Sequence, residues 1–155
     1  MTGSDVETAP AAFVPAAPAA LVAPAPSALV VSGLTELAAG ALSGWVFAAV
    51  RRRPEAMRAL GVRAPQRIRQ WHLDLAMLGG FTAICGTAVP AAPRVTTAAL
   101  AIGAWSNAFA FLPLAFKPDL ENRPAYLGLV VGSFVTTSIG FCGIARTAHR
   151  RYRAR

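Results

Sequence analysis

The stretch RIRQWHLDLAMLGG, residues 67–80, decides how this chain is interpreted. It leads from a basic border that carries Trp71 into an apolar helix, and it leaves His72 about one turn inside. Tryptophan and arginine concentrate where a membrane helix meets water. Histidine is rare inside a bilayer, yet it can coordinate a metal or haem and can change its charge near neutral pH. The stretch therefore predicts a membrane helix with a candidate functional residue near its start.

The composition supports a membrane protein. Hydrophobic residues make up 55% of the 155 residues, and charged residues make up only 14%. A soluble domain usually has about a quarter charged residues, so this chain has too few of them to cover a globule in water. We predict an integral protein of the cell membrane that crosses the bilayer several times.

The net charge of +8 does not indicate nucleic-acid binding, because the basic residues flank apolar segments. Seven of the 15 lysines and arginines lie within residues 51–69, and five more follow from Arg146 onward. Anionic lipid and the positive-inside rule explain such clusters. We therefore expect the lipid bilayer, and no nucleic acid, as a partner. Cys85 and Cys142 lie in apolar segments and are predicted to be reduced packing residues.

Proline and hydropathy divide the chain into three parts. Residues 1–27 are rich in alanine and proline, which prevents a continuous helix, so a disordered leader without signal-peptide character is predicted. Residues 28–146 hold four apolar segments, and residues 147–155 form a basic tail. The apolar segments cover residues 28–50, 68–89, 95–116 and 125–145. Pro113 is expected to kink the end of the third segment.

Each apolar segment is close to the roughly 20 residues that a helix needs to cross about 30 Å of hydrocarbon. Backbone groups in lipid must be satisfied within the segment, so these segments are predicted to be helices. Short connections between four such helices favour an antiparallel bundle. The predicted fold is all-α, an integral membrane bundle of four antiparallel transmembrane helices.

Small residues recur at helical spacing in three of the segments. Such faces let helix backbones approach closely in lipid, in the bundle or between subunits. They also leave room for a flat cofactor or an aromatic substrate, and both interpretations stay open. The residues concerned are Gly40, Gly44, Ala76, Gly80, Ala83, Gly128, Gly132, Thr136 and Gly140.

Besides His72, two polar residues deep in the apolar segments need an explanation. Glu36 lies near the middle of the first segment, where a carboxylate is costly unless it is protonated, paired or hydrated. Asn107 lies near the middle of the third segment, where its amide either bonds a neighbouring helix or holds a polar atom of a ligand. Asp74 is two positions after His72 and is expected to point to another helix face. Trp45 lies toward the His72 end of the first segment, either in a pocket wall or in packing.

The glycine pattern around Ser43-Gly44-Trp45, the run WHLDLAMLGG and the segment GAWSNA at residues 103–108 resemble one family. This family comprises hydroxylaminobenzene mutases and styrene oxide isomerases, which are small integral membrane isomerases. The resemblance covers roughly residues 31–145 and consists of glycines, one histidine and one asparagine. It implies a four-helix bundle that assembles as a homotrimer.

The resemblance also implies ferric haem b held by the second-helix histidine, which corresponds to His72. In that chemistry the iron acts as a Lewis acid, and a small aromatic epoxide or hydroxylamine rearranges without net oxidation. The residues predicted to contact the substrate are Asn107 and Trp105, as catalytic residues, with Trp45, Glu36, Leu78, Phe109 and Phe111 lining the pocket.

The chain departs from the family pattern at three positions. Leu78 stands where the pattern has an amide side chain, and Trp105 stands where it usually has tyrosine. Indole donates a hydrogen bond but cannot serve as a phenolic acid. Ser32 stands where the mutase branch has a histidine. These departures leave open whether the family activity is retained or its substrate chemistry altered.

Two other functions fit the sequence. Small multidrug transporters also have four short helices with one essential glutamate in the first, and Glu36 could take that role in proton-coupled transport. A non-enzymatic membrane subunit that scaffolds a partner would need only the small-residue faces.

Overall fold

The computed structural model describes residues 25–155, which form helices and no strand. The predicted leader lies outside the described residues except for its last three, which precede the first helix. The helices are α1 (Ala28–Arg52), α2 (Pro54–Ala59), α3 (Pro65–Ala88), α4 (Arg94–Phe109), α5 (Leu112–Phe116) and α6 (Pro124–Arg153), with a 3-10 turn at Pro118–Asn122. The prediction of an all-α fold is confirmed for this part of the chain.

Three of the helical segments are long and apolar enough to cross a membrane. They are α1, the pair α4–α5 taken together, and α6. The helix α3 has 24 residues, but its first half carries Arg67, Arg69, His72 and Asp74 and is less apolar than these three. The membrane character predicted from composition is therefore found in three helical segments of the described chain, and α3 is not among them.

Prolines and one glycine set the helix boundaries. The kink expected at Pro113 is a break, since α4 ends at Phe109, four residues before this proline, and α5 begins at Leu112. A proline ring clashes with the carbonyl group four residues earlier, which explains why α4 ends at Phe109. Gly61, at φ +88°, ends α2, where its N–H and that of Val62 bond the carbonyl groups of Arg58 and Met57.

The helix α6 differs from its predicted extent. The apolar segment was expected to end at residue 145 and to be followed by a basic tail, but the helix continues through that tail to Arg153. No proline or glycine follows Gly143, so nothing in the sequence stops the helix. Its 30 residues extend about 45 Å at about 1.5 Å per residue, more than the hydrocarbon thickness. The arginine-rich end of α6 is thus long enough to project beyond the apolar layer.

The helices α1 and α3 pack against each other in antiparallel directions along their whole length. A methyl group built on Gly33 would lie 2.4 Å from the backbone nitrogen of Ala83, and one built on Gly40 would lie 2.7 Å from that of Ala76. Glycine is needed where two backbones approach this closely. The buried residues of α1 follow a spacing of three, four or seven positions, typical of lengthwise packing: Leu29, Gly33, Glu36, Gly40, Ser43 and Val50.

A second antiparallel pair is formed by α4 and α6. Methyl groups on Gly103 and Gly140 would lie 2.5 Å from the backbones of Thr137 and Leu100, respectively. The hydroxyl of Ser106 donates to that of Ser133 at 3.2 Å and joins the same two helices. The pairs α1–α3 and α4–α6 meet mainly where α4 packs on α3. Because α6 lies on the far side of α4, a groove remains between α3 and α6.

Candidate functional site

His72 lies on the face of α3 that packs against α1. Its ring is beside Gly44, where a methyl group would lie 3.3 Å from the imidazole Cε1 atom. The ring stacks on Phe47 with centroids 5.8 Å apart and an interplanar angle of 19°. The guanidinium of Arg51 lies over the Phe47 ring, 6.0 Å from its centroid. The sequence of α1 thus supplies an aromatic wall and a space without side chain for the imidazole.

The hydrogen bonds of His72 define which ring nitrogen carries the hydrogen. This atom lies 2.9 Å from the carbonyl oxygen of Gly40 and 3.0 Å from the hydroxyl oxygen of Ser43. A carbonyl oxygen can only accept, so Nδ1 carries the hydrogen and donates it. The Ser43 hydroxyl donates to the same carbonyl at 2.6 Å. In the neutral imidazole the lone pair is therefore on Nε2.

The Nε2 atom of His72 is open to a ligand. It makes no hydrogen bond within residues 25–155, and it is not among the buried polar atoms that lack a partner there. Histidines that bind metals commonly donate their other ring nitrogen to a backbone carbonyl, which fixes the ring. The described part of the chain contains no group of three or more His, Cys, Asp and Glu residues placed to hold a metal ion. His72 therefore offers one nitrogen ligand, as an axial haem ligand does.

Glu36 is completely buried, at 0% exposure, between α1 and α3. Neither carboxyl oxygen has a hydrogen-bond partner among the described residues. It lies beside Gly79, where a methyl group would lie 2.9 Å from the Glu36 carbonyl carbon. The hydroxyl of Thr82 is likewise buried and unpaired within this part of the chain. Glu36 does not face the imidazole of His72, because Glu36 lies beside Gly79 and the imidazole lies beside Gly44.

Trp105 belongs to an aromatic cluster that joins three helices. Its indole N–H donates to the hydroxyl of Ser32 on α1 at 3.2 Å. Its ring stacks on Phe109, with centroids 5.9 Å apart, and Phe109 in turn meets the edge of Trp71 on α3 at 6.0 Å. Ser32 is thus a hydrogen-bond acceptor for Trp105.

Asn107 lines the groove between α3, α4 and α6 and not the surface around His72. The groove has a cavity volume of about 280 Å³. Two other predicted pocket residues, Leu78 and Phe111, line it as well. The remaining lining residues are Gln70, Asp74, Met77, Phe81 and Phe134.

The predicted site residues therefore fall into separate places in the chain. His72 faces α1, whereas Leu78 and Asp74 face the groove from the opposite side of α3. Two positions on a helix differ by about 200° in direction, which explains why Asp74 points away from His72. Trp45 is 79% exposed and lies on the outer surface of α1.

Sequence reasoning missed the residues that orient His72 and the role of Asp74 in the groove. Gly40 and Gly44 were assigned to small-residue faces, and Ser43 and Phe47 carried no polar or cofactor signal by themselves. Their meeting with His72 follows only from the antiparallel register of α1 and α3. Asp74 was judged only as a partner for His72, although its spacing from Gln70 and Leu78 places all three on one helix face.

Comparisons with family models, with curated proteins and with solved structures give no match for this chain.

Proposed function

We propose that this protein is a four-helix membrane protein in which α3 crosses the bilayer beside α1. The two helices are packed in antiparallel directions, from Val30 beside Gly86 at one end to Phe47 beside His72 at the other. A helix that follows a membrane-spanning helix over this length lies in the same apolar layer. The charged residues of α3, like His72, belong to its first half, near the basic connection between α1 and α3. This arrangement supports a multi-pass location in the cell membrane.

The function that the geometry supports best is a haem-dependent isomerase with His72 as axial ligand. The observation that carries this proposal is the bond from Nδ1 of His72 to the Gly40 carbonyl, which leaves Nε2 unpaired and open. Phe47 and Gly44 hold the imidazole in place, one as a stacked ring and the other as a position without a side chain, so that Nε2 is on the ring edge away from the Gly40 carbonyl. Bound ferric haem b would supply a Lewis acid for the rearrangement of a small aromatic epoxide or hydroxylamine.

In this proposal the protein residues orient the imidazole ligand and enclose the substrate, and they do not donate protons. The Gly40 carbonyl and Ser43 hold the imidazole plane, while Phe47 covers its face. An apolar setting in the membrane keeps water away from a reacting substrate. Trp105 already donates its N–H to Ser32, so its first role is to join α4 to α1.

Asn107 needs a second subunit to take part at His72. Within one chain it lines the groove on the opposite side of α3. A cyclic trimer joins two different faces of neighbouring copies, so the homotrimer implied by the family resemblance is one assembly that can bring these faces together. Native mass spectrometry of the detergent-purified protein tests the trimer directly, and a monomer would exclude this role of Asn107.

The activity is tested by turnover of styrene oxide and of phenylhydroxylamine without added oxidant or reductant. The expected product is an isomer of the substrate, detected by mass-matched chromatography. The chain has two histidines, so His72→Asn and the exposed His149→Asn form a matched pair. Turnover by the parent and the His149 variant, and none by the His72 variant, supports the proposal. No turnover by the haem-loaded parent protein, or unchanged turnover by His72→Asn, contradicts it.

A second candidate function is favoured by Glu36. A fully buried carboxyl group without a partner among residues 25–155 is expensive to keep charged in a membrane and is a functional candidate by default. Proton-coupled transport would use its proton. Proteoliposomes with an imposed pH gradient test this, and Glu36→Gln should abolish uptake of a cationic dye if the transporter hypothesis is correct. Isomerase activity that survives this substitution separates the two hypotheses.

A further inference from the structure

The groove between α3, α4 and α6 has a chemical character of its own. Asp74 faces it from α3 and Asn107 faces it from α4, and three phenylalanines complete its walls: Phe81, Phe111 and Phe134. Its volume of about 280 Å³ is just below the usual range for ligand pockets, about 300–1,000 Å³. The groove therefore suits a ligand with a single ring.

The carboxyl group of Asp74 has no partner in the described part of the chain. It is half-buried, and no hydrogen bond or ion pair reaches it from residues 25–155. No lysine or arginine is among the described residues that line the groove. The nearby Arg67 is paired with Glu121 at 2.6 Å, and it also donates to Gln70 at 3.2 Å. Arg69 lines a neighbouring cavity together with Asp74 but forms no ion pair with it. A carboxyl group in a mostly apolar groove, with no ion-pair partner among the described residues, favours a positively charged ligand.

The aromatic rings and the amide add to this preference. Phenylalanine faces attract ammonium groups as well as apolar rings. Phe81 and Phe134 are about half exposed, at 49% and 47%, so their faces are accessible. The side chain of Asn107 makes no hydrogen bond within the described residues and can bond a polar atom of a ligand. The carboxyl group of Asp74, the phenylalanine rings and the amide of Asn107 thus line one small cavity.

We propose that this groove binds a small aromatic ammonium compound, with Asp74 as the counter-ion and the phenylalanine rings around the aromatic part. The ammonium group lies against the Asp74 carboxylate, and Asn107 bonds the same polar end. The site is on the opposite side of α3 from His72 and does not require haem. Within one chain it is therefore a ligand site apart from the imidazole of His72.

The test is calorimetric titration of the detergent-purified full chain at pH 7 with two probes of similar shape. The probes are 2-phenylethylammonium and the neutral 2-phenylethanol. We expect the ammonium compound to bind at least about tenfold more tightly, since a partly buried charge pair contributes more than the exposed pairs of a protein surface. Asp74→Asn, which keeps the shape of the side chain, should remove this preference and leave 2-phenylethanol binding unchanged.

Two further variants make the result specific. Asp119→Asn removes a carboxylate from the exposed 3-10 turn, outside the groove, and should leave the preference intact. Phe134→Leu should weaken both probes, because it removes a ring from the wall. Equal binding of the two probes, no binding of either probe, or a preference that persists in Asp74→Asn would overturn the proposal.

The outcome can be separated from that of the isomerase proposal. His72→Asn is expected to leave the binding of 2-phenylethylammonium unchanged, because His72 faces α1. Asp74→Asn is expected to leave the visible spectrum of any bound haem unchanged. Failure of one proposal therefore leaves the other measurable.

Discussion

Nδ1 of His72 lies 2.9 Å from the carbonyl oxygen of Gly40, a peptide group on the facing helix. The contact requires the close approach of α1 and α3, because a methyl group on Gly40 would lie 2.7 Å from the backbone of Ala76. One glycine thus serves two purposes, since it brings the helices together and presents its carbonyl to the imidazole. The direction of Nε2 is a consequence of helix packing.

The close packing of α1 and α3 predicts that alanine destabilises the protein at one of two adjacent glycines and not at the other. Gly79→Ala should destabilise the protein by about 2–3 kcal/mol, because its methyl group would lie 2.4 Å from the backbone nitrogen of Leu37. Gly80→Ala should cause no loss, because nothing in the described chain lies within 4 Å of the new methyl group. Thermal unfolding in detergent, followed by circular dichroism, compares the two. Equal destabilisation would contradict the observed helix register.

The two nitrogens of His72 can be tested separately. An asparagine at this position retains an amide donor near the place of Nδ1 and lacks Nε2. We expect His72→Asn to keep its stability within about 1 kcal/mol of the parent, and His72→Ala to lose about 1–2 kcal/mol with the bond to Gly40. Thermal unfolding of both variants without added haem measures this difference. If alanine were tolerated as well as asparagine, the hydrogen bond would have no structural role.

The bond between Trp105 and Ser32 predicts a measurable coupling between α4 and α1. Trp105→Phe and Ser32→Ala each remove the same 3.2 Å hydrogen bond, so their effects should not add. A double-mutant cycle on unfolding free energies should give a coupling of about 1 kcal/mol. Phenylalanine retains an aromatic ring for the stack on Phe109. Strictly additive effects would mean that Trp105 contributes through its ring alone.

The buried Glu36 predicts tolerance of a neutral side chain and intolerance of a charge. Glu36→Gln preserves shape, and we expect its unfolding free energy to stay within about 1 kcal/mol of the parent. Glu36→Lys places an ammonium group between two tightly packed helices and should prevent recovery of folded protein. Size-exclusion profiles and thermal unfolding distinguish the two. A stable lysine variant would show that water reaches this position.

Much of the fold could be predicted because proline and hydropathy act locally. The start of α1, the link between the segments 68–89 and 95–116, and an interruption at Pro113 all follow from the sequence. The last helix was predicted too short, because hydropathy reports the apolar layer and not where a helix ends. Its basic residues are good helix formers, so the helix continues into the region of the headgroups.

The small-residue faces were predicted only in part. Gly40, Ala76 and Ala83 pack in the α1–α3 contact and Gly140 in the α4–α6 contact, as intramolecular packing predicts. Gly80, Gly128 and Gly132 have no neighbour within 4 Å of a built methyl group in the described chain. Spacing alone cannot separate these two classes, because it does not say which helix lies opposite.

The site could not be assembled from the sequence for the same reason. His72 and Asn107 were both recognised as unusual in lipid, His72 about one turn inside its segment and Asn107 near the middle of its own. Their directions around α3 and α4 depend on the pairing of α1 with α3 and of α4 with α6. That pairing separates them in the chain and places Asn107 in the same groove as Asp74.

The absorption spectrum of the purified protein, expressed with a haem supply, tests the central claim that His72 coordinates haem through Nε2. The parent and His149→Asn should show a Soret band at about one haem per chain. His72→Asn should remain folded and lose this band, and added imidazole should restore it. A parent protein without a Soret band, or a His72→Asn variant that keeps it, would contradict the account.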